Sequence, residues 1–194
     1  MRAPALLLAA SLPLALLVAC GGGGGSSSSS GPVLTYTNNA SATSSDWRVE
    51  VDSATNGSST LLLRVYGPTG TAVQGATVFL SCNAARTEWV QPSGATDAYA
   101  LEGSALDFTQ GPTTGVQLFK SRLSGSDLQV GAYQKTGTQA LTASKPLFSV
   151  ALSPVSGATA GAASLAATSG KTSIYLDSTG EHELTLKVGT LVVE

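Results

Sequence analysis

Charge is scarce in this sequence, because only 11% of its 194 residues are Asp, Glu, Lys or Arg. Ten basic residues against twelve acidic ones leave a formal net charge of −2, so the chain lacks the basic face of a nucleic-acid-binding protein. Apolar residues still make up 42% of the sequence, which excludes an intrinsically disordered chain. We therefore expect a folded domain whose surface is made polar mainly by serine and threonine and that does not bind nucleic acid.

Residues that carry chemistry are equally few. The single histidine, His182, stands between Glu181 and Glu183, and on a β-strand its side chain would point away from both glutamates. The three side chains would therefore not converge on a metal ion. The six aspartates are scattered without the spacing of a calcium loop, and no serine occupies a Gly-x-Ser-x-Gly elbow. We predict no catalytic residue, no metal and no cofactor, and hence no enzyme.

Only one long apolar run is present, from Ala5 to Ala19, and it is shorter than the ~20 residues of a membrane-spanning helix. Arg2 precedes this run and Leu17-Val18-Ala19-Cys20 closes it, which is the order of a secretory signal. The closing tetrapeptide resembles the lipobox of bacterial lipoproteins, in which signal peptidase II cuts before a cysteine that carries diacylglycerol. The resemblance implies a signal peptide over residues 1–19 and lipidation of Cys20. An ordinary signal peptide or a transmembrane helix is the alternative.

The lipobox resemblance also implies a location for the protein. Acyl chains on Cys20 would attach the exported chain to a membrane. Gly21 lacks the aspartate that marks inner-membrane retention in enterobacteria-like lipoproteins, so the outer membrane is the expected destination. With Cys20 lipidated, Cys82 has no partner for an intrachain disulfide, and we expect it to be a small buried side chain.

A flexible tether follows the cysteine. Five glycines and five serines from Gly21 to Ser30 bury no apolar surface, and such a segment behaves as a coil with a mean span of about 18 Å. We therefore assign residues 20–32 to the lipidated cysteine and its linker, and residues 33–194 to the folded part. We interpret the folded part as one enlarged domain, and two small domains are the alternative.

The pattern after the tether is β, with short runs between Gly, Pro, Asn and Asp turns. Residues 47–52 alternate apolar and charged side chains, as a strand with one buried face does, and Trp47 falls on the apolar side. Residues 181–188 alternate similarly and are predicted as a single strand. The Ala-rich segment 158–167 is predicted as loop or irregular strand, with a short helix as the alternative. The other predicted strands are 61–66, 76–82, 87–90, 99–101, 106–108, 116–120, 128–133, 147–152, 173–176 and 190–193.

The segment from Leu61 to Leu80 resembles the first half of a bacterial Ig-like domain of the invasin and intimin type. Val73, Gly75, Ala76 and Val78 occupy the Val-x-Gly-Ala-x-Val positions that open a strand in that family. The resemblance implies an Ig-like antiparallel β-sandwich, and the many short strands favour a sandwich as well. We therefore predict an all-β fold of this kind, enlarged in its middle.

These features favour a non-catalytic binding or scaffold module of the bacterial envelope with a protein partner. A carbohydrate-binding module is the alternative, because Trp89 stands among polar residues and would offer an exposed platform for a polysaccharide. Tyr66 and Tyr99 are the companion ligand contacts in that hypothesis. An enzyme with an unrecognised site is a third hypothesis, which the scarcity of chemistry-bearing residues disfavours.

Overall fold

The computed structural model describes residues 31–108 and 118–194, and the regular elements within these ranges are β-strands. The expected signal peptide, Cys20 and the glycine-serine run lie outside the described residues. No helix in the described ranges is long and apolar enough to cross a bilayer. The strands are β1 (Leu34–Thr37), β2 (Trp47–Val51), β3 (Leu61–Tyr66), β4 (Ala72–Val73), β5 (Gly75–Cys82), β6 (Thr87–Val90), β7 (Ala100–Glu102), β8 (Phe119–Ser124), β9 (Asp127–Tyr133), β10 (Gln139–Ala140), β11 (Phe148–Pro154), β12 (Gly161–Ala163), β13 (Leu165–Ala167), β14 (Ile174–Asp177), β15 (Gly180–Glu183), β16 (Leu186–Lys187) and β17 (Thr190–Val193).

The first sheet has the strand order β16-β2-β3-β11-β6, and β7 pairs with β11 beside β6. Its neighbouring strands are antiparallel, except that β16 runs parallel to β2. Val49 lies opposite Val65, which in turn lies opposite Phe148, and all three side chains are buried. Because side chains alternate along a strand, this row marks the inward face of the first sheet.

The second sheet has the order β15-β14-β5-β9-β8, and β13 pairs with β5. All of its pairs are antiparallel. On the central strand β5, Val78 lies opposite Val130 and Leu80 lies opposite Leu128, and these four residues are buried. They mark the inward face of this sheet.

The inward residues of both sheets belong to one hydrophobic cluster, which makes the fold an all-β sandwich, as the sequence predicts. Two smaller sheets, β1-β17-β12 and β4-β10, complete it. The first contributes Tyr36 and Leu191 to the same cluster, and the second contributes Val73. The largest fully buried side chains are Tyr36, Phe148, Leu34, Leu61, Leu63, Leu80, Leu128, Leu141, Leu147, Leu152, Leu191 and Val49.

Alternation in the sequence predicts most of these strands closely, and the predicted bounds of β3, β6 and β17 are confirmed to the residue. Trp47 lies in the core, as predicted, with 6% of its surface exposed. Cys82 is also buried, as predicted, and burial raises the pKa of its thiol. A buried thiol with a raised pKa is a poor nucleophile.

The single strand predicted over residues 181–188 is wrong. This segment forms β15, which pairs with β14 in the second sheet, and then β16, which pairs with β2 in the first. Leu184 and Leu186 are both buried, so the alternation continues unbroken while the chain passes between the sheets. Alternation reports which side chains are buried and carries no information on the pairing partner.

Three further segments for which the sequence predicts a structure are 106–108, 116–120 and 158–167. The predicted strand 106–108 is wrong, because these residues form no strand. Leu106 is buried in a loop, and the preceding residue, Ala105, donates its N–H to the carbonyl of Pro146. The Ala-rich segment 158–167 forms the two short strands β12 and β13. Of the predicted strand 116–120, residues 119 and 120 begin β8, and residues 116 and 117 lie outside the described residues.

Candidate functional site

The outward surface of the second sheet is the candidate site, and we call it the outer face. Residues directly opposite each other on neighbouring antiparallel strands point to the same side of a sheet. Since Val78 and Val130 point inward, the residues that alternate with them point outward. The outer face consists of Glu181 and Glu183 on β15, Ile174 and Leu176 on β14, Thr77 and Phe79 on β5, Gln129 and Tyr133 on β9, and Lys120 and Arg122 on β8.

The two edges of the outer face carry opposite charges. Glu181 and Glu183 are exposed on the edge strand β15, and Lys120 and Arg122 are exposed on the edge strand β8, where Lys120 also pairs with Asp97 at 3.1 Å. Five strands at a spacing of about 4.8 Å place the acidic edge roughly 19 Å from the basic edge. Between the edges lies a strip of half-buried apolar and aromatic side chains: Ile174, Leu176, Phe79 and Tyr133.

The ring of Tyr133 is held flat against the sheet by its neighbours. Gly75 lies opposite it on β5, and a Cβ at that position would collide with the tyrosine ring. The Tyr133 hydroxyl is 2.8 Å from the Thr77 hydroxyl, and burial raises the pKa of the phenol. The absence of a side chain at Gly75 therefore gives the ring a fixed place.

A shallow basin of about 160 Å³ lies at one end of the outer face. Phe79 and Lys171 line it, and the Lys171 ammonium lies 5.4 Å from the centroid of the Phe79 ring. The other lining residues are Arg122 and Ser124 on β8 and Asp127 and Gln129 on β9.

The outward surface of the first sheet is arranged differently, because its charged groups satisfy one another. The Arg48 guanidinium is 2.5 Å from the Glu50 carboxylate and 4.8 Å from the centroid of the Tyr66 ring. Arg64 forms an ion pair of 2.6 Å with Asp52. Arg48 is only 4% exposed, so this network belongs to the packing of the sheet.

The structure overturns the prediction of an aromatic platform for sugars. Trp89 is 5% exposed, and its indole N–H donates to the carbonyl of Ser126 at 2.8 Å. Tyr66 is also buried, but it points to the opposite side of the first sheet from Trp89. It is the last residue of β3, whereas Trp89 is aligned, through Leu152, with the first residue of that strand. Tyr99 is half-buried against the core. The three rings therefore form no common surface. The residues of the outer face were not predicted from the sequence as a binding surface.

His182 lies on β15, two residues after the turn that joins this strand to β14. Its ring stacks on Tyr175 with centroids 5.0 Å apart, and its Nε2 is 3.1 Å from Asp177 Oδ1. Hydrogen bonds from Thr179, together with His182, lower the pKa of Asp177 to about 2. The neighbouring glutamates lie on the outer face, whereas His182 pairs with Tyr175 on the other side, as the alternation predicts. No group of three metal-binding side chains occurs among the described residues.

Comparisons with known proteins bear on the fold. No protein-family model and no curated protein matches the sequence. Among solved structures, the chain is similar to the sixth cohesin of scaffoldin B from Acetivibrio cellulolyticus, which was crystallised with a Cel5 dockerin. The sequence identity is 16%, the match covers 75% of this chain and 95% of that chain, and the TM-score is 0.50. A type II cohesin domain from the cellulosome of the same organism matches with 9% identity, 82% and 94% coverage and a TM-score of 0.46. A cohesin from Clostridium thermocellum, in complex with a dockerin, matches with 10% identity, 81% and 95% coverage and a TM-score of 0.43. The likeness to the first of these shows a shared all-β sandwich fold.

Proposed function

We propose that this protein is a lipid-anchored, non-catalytic module of the bacterial envelope that binds a protein partner through the outer face of its second sheet. The observation that carries the proposal is the half-buried strip of Ile174, Leu176, Phe79 and Tyr133 between an acidic and a basic edge. Outward side chains of a sheet are ordinarily polar where they face water alone. An apolar strip with a charged rim is the arrangement of a protein interface.

Two properties of the outer face favour a protein over other ligands. Phe, Tyr and Arg, which are enriched at protein interfaces, lie together on it. Its opposite charges at the two edges would orient a partner of complementary polarity and disfavour a reversed one. A uniformly charged polymer would meet repulsion at one edge of the face.

The cohesin of similar fold offers independent support for a protein partner. That cohesin was crystallised with a dockerin, so a sandwich of this fold presents a surface to another protein there. Fold alone does not carry function, and the outer face of this chain is the feature that makes a comparable role physically reasonable.

The lipid anchor in this proposal rests on the sequence. The lipobox-like Leu17-Val18-Ala19-Cys20 is followed directly by the glycine-serine tether, and the folded residues begin after it. A tether with a mean span of about 18 Å would let the domain reorient at the surface of the outer membrane. The outer face would then be free to meet partners in the envelope.

Truncating the apolar strip tests the binding role. The variant Ile174→Ala/Leu176→Ala removes two half-buried side chains from the outer face, away from the basin. We expect it to reduce retention of at least one envelope protein by about tenfold or more, because a few well-packed apolar contacts dominate binding energy. Quantitative mass spectrometry of proteins captured from detergent-extracted envelopes by the immobilised full chain measures this.

The matched control is Leu62→Ala/Leu101→Ala, which truncates two half-buried side chains on the outward surface of the first sheet. It should capture the same proteins as the wild type. Identical capture profiles for all three proteins would refute the assignment of the binding surface to the outer face.

A further inference from the structure

The basin at the end of the outer face contains two cations that form no ion pair within the described residues. Arg122 lies opposite Gln129 on β9, which lies opposite Phe79 on β5, so these three side chains form one row. Lys171 reaches the Phe79 ring from the segment before β14. Within the described ranges, neither Arg122 nor Lys171 has an ion pair or a side-chain hydrogen bond.

Five of the other seven cations in the described part of the chain are held by acceptors, and the remaining two, Lys135 and Lys145, do not share a basin with each other. The partners of the five are carboxylates or main-chain carbonyls, so their charge is already compensated or directed inward. The pairs are Arg48 with Glu50, Arg64 with Asp52, Lys120 with Asp97, Lys187 with Asp46, and Arg86 with the carbonyls of Thr159 and Ala160. Arg122 and Lys171 are the two cations without an ion pair that line one basin together, and this convergence in a chain with so little charge points to a ligand.

The formal charge of the basin sets the charge of that ligand. Arg122 and Lys171 contribute two positive charges and Asp127 contributes one negative charge, which leaves +1. One carboxylate neutralises this charge, whereas a phosphate dianion or a polyanion would over-compensate it beside Asp127. The volume of about 160 Å³ equals that of roughly five water molecules, which suits a single side chain.

We propose that the basin binds one aspartate or glutamate side chain on an extended, otherwise weakly charged segment of the protein partner. This inference rests on the proposed function, because it names the chemistry that the partner brings to the outer face. The Arg122 guanidinium offers paired N–H donors that match a carboxylate, and Lys171 adds a second charge. The Phe79 ring packs against the methylene stem of the incoming side chain.

Asp127 makes the basin selective for a single acid. Its carboxylate accepts a main-chain N–H from the incoming segment and repels a second acidic residue next to the first. The same repulsion disfavours phosphorylated side chains, which carry close to two charges at neutral pH.

Selection from a displayed library of random peptides tests the proposal with the immobilised full chain. Peptides enriched on the wild type should share one Asp or Glu. The variant Arg122→Gln/Lys171→Gln should bind such a synthetic peptide about tenfold or more weakly, and the same peptide with Gln for its acid should be weakened equally on the wild type. Lys135→Gln/Lys145→Gln removes the same net charge outside the basin and should bind like the wild type.

Results of three kinds would overturn the proposal. The first is enrichment of peptides without an acid, or equal binding to the wild type and Arg122→Gln/Lys171→Gln. The second is displacement of the peptide by equimolar inorganic phosphate, which would make the basin a site for small free anions. The third is unchanged affinity for a diacidic peptide in Asp127→Asn, where we expect tighter binding.

The two proposals fail in distinguishable ways. If selected peptides bind Arg122→Gln/Lys171→Gln normally but lose affinity for Ile174→Ala/Leu176→Ala, the outer face binds proteins and the acid specificity is wrong. If they bind both variants normally, the outer face is not the binding surface.

Discussion

Replacing Trp89 by alanine is expected to destabilise the domain by about 3–5 kcal/mol, the usual cost of removing a buried tryptophan. The side chain points into the core from β6, opposite Leu152 of β11, and only 5% of it is exposed. Its loss leaves a cavity between the sheets and removes the hydrogen bond to the Ser126 carbonyl. Chemical denaturation followed by circular dichroism measures the change, and a drop in melting temperature of roughly 10 °C should accompany it.

Trp89→Phe separates packing from hydrogen bonding. It keeps an aromatic ring in the core, and the Ser126 carbonyl retains the N–H of Cys82 as a donor at 3.2 Å. We therefore expect a loss of about 1–2 kcal/mol. An unfolding curve of Trp89→Ala that superimposes on the wild-type curve would mean that the ring is exposed and would restore the sugar platform.

Replacing Cys20 by serine is expected to move the protein from the membrane fraction to the soluble fraction. The proposed anchor consists of acyl chains on this residue, and each buried methylene of such a chain contributes about 0.8 kcal/mol to membrane attachment. Serine has no thiol for the transfer of diacylglycerol. Ultracentrifugation of lysed cells that express the full chain, with mass spectrometry of the N-terminal peptide, measures both attachment and lipidation.

The other cysteine of the chain provides the matched control. Cys82 is buried on β5, so Cys82→Ser should remain in the membrane fraction with its N-terminal peptide acylated. A Cys20→Ser protein that still sediments with membranes would contradict the lipid anchor and favour an uncleaved apolar segment.

Most strands of this fold can be predicted from the sequence, because the alternation of apolar and polar residues is a local property of each strand. In β2, Trp47, Val49 and Val51 alternate with two charged residues, and these apolar side chains belong to or pack against the core. The change of sheet between β15 and β16 is invisible for the same reason, since Leu184 and Leu186 are buried against one core throughout. Pairing partners are set by residues far away in the chain.

The candidate site depends entirely on such distant pairing. Phe79, Gln129 and Arg122 become one row only when β5, β9 and β8 pair in their particular register. The residues next to Phe79 in the sequence do not predict this row. The polar residues next to Trp89 suggested that its ring is exposed, but the ring is buried. Glu88 takes the outward position next to Trp89, so the polar neighbours and the buried ring fit one strand.

Site-specific photo-crosslinking in cells tests the central claim, that a protein partner docks on the outer face. A photoreactive residue in place of Gln129 would lie on the outer face beside the basin, and one in place of Glu88 would lie on the outward surface of the first sheet. The account predicts a discrete crosslinked protein from position 129 and none from position 88. A partner crosslinked from position 88 alone, or equally from both positions, would contradict it.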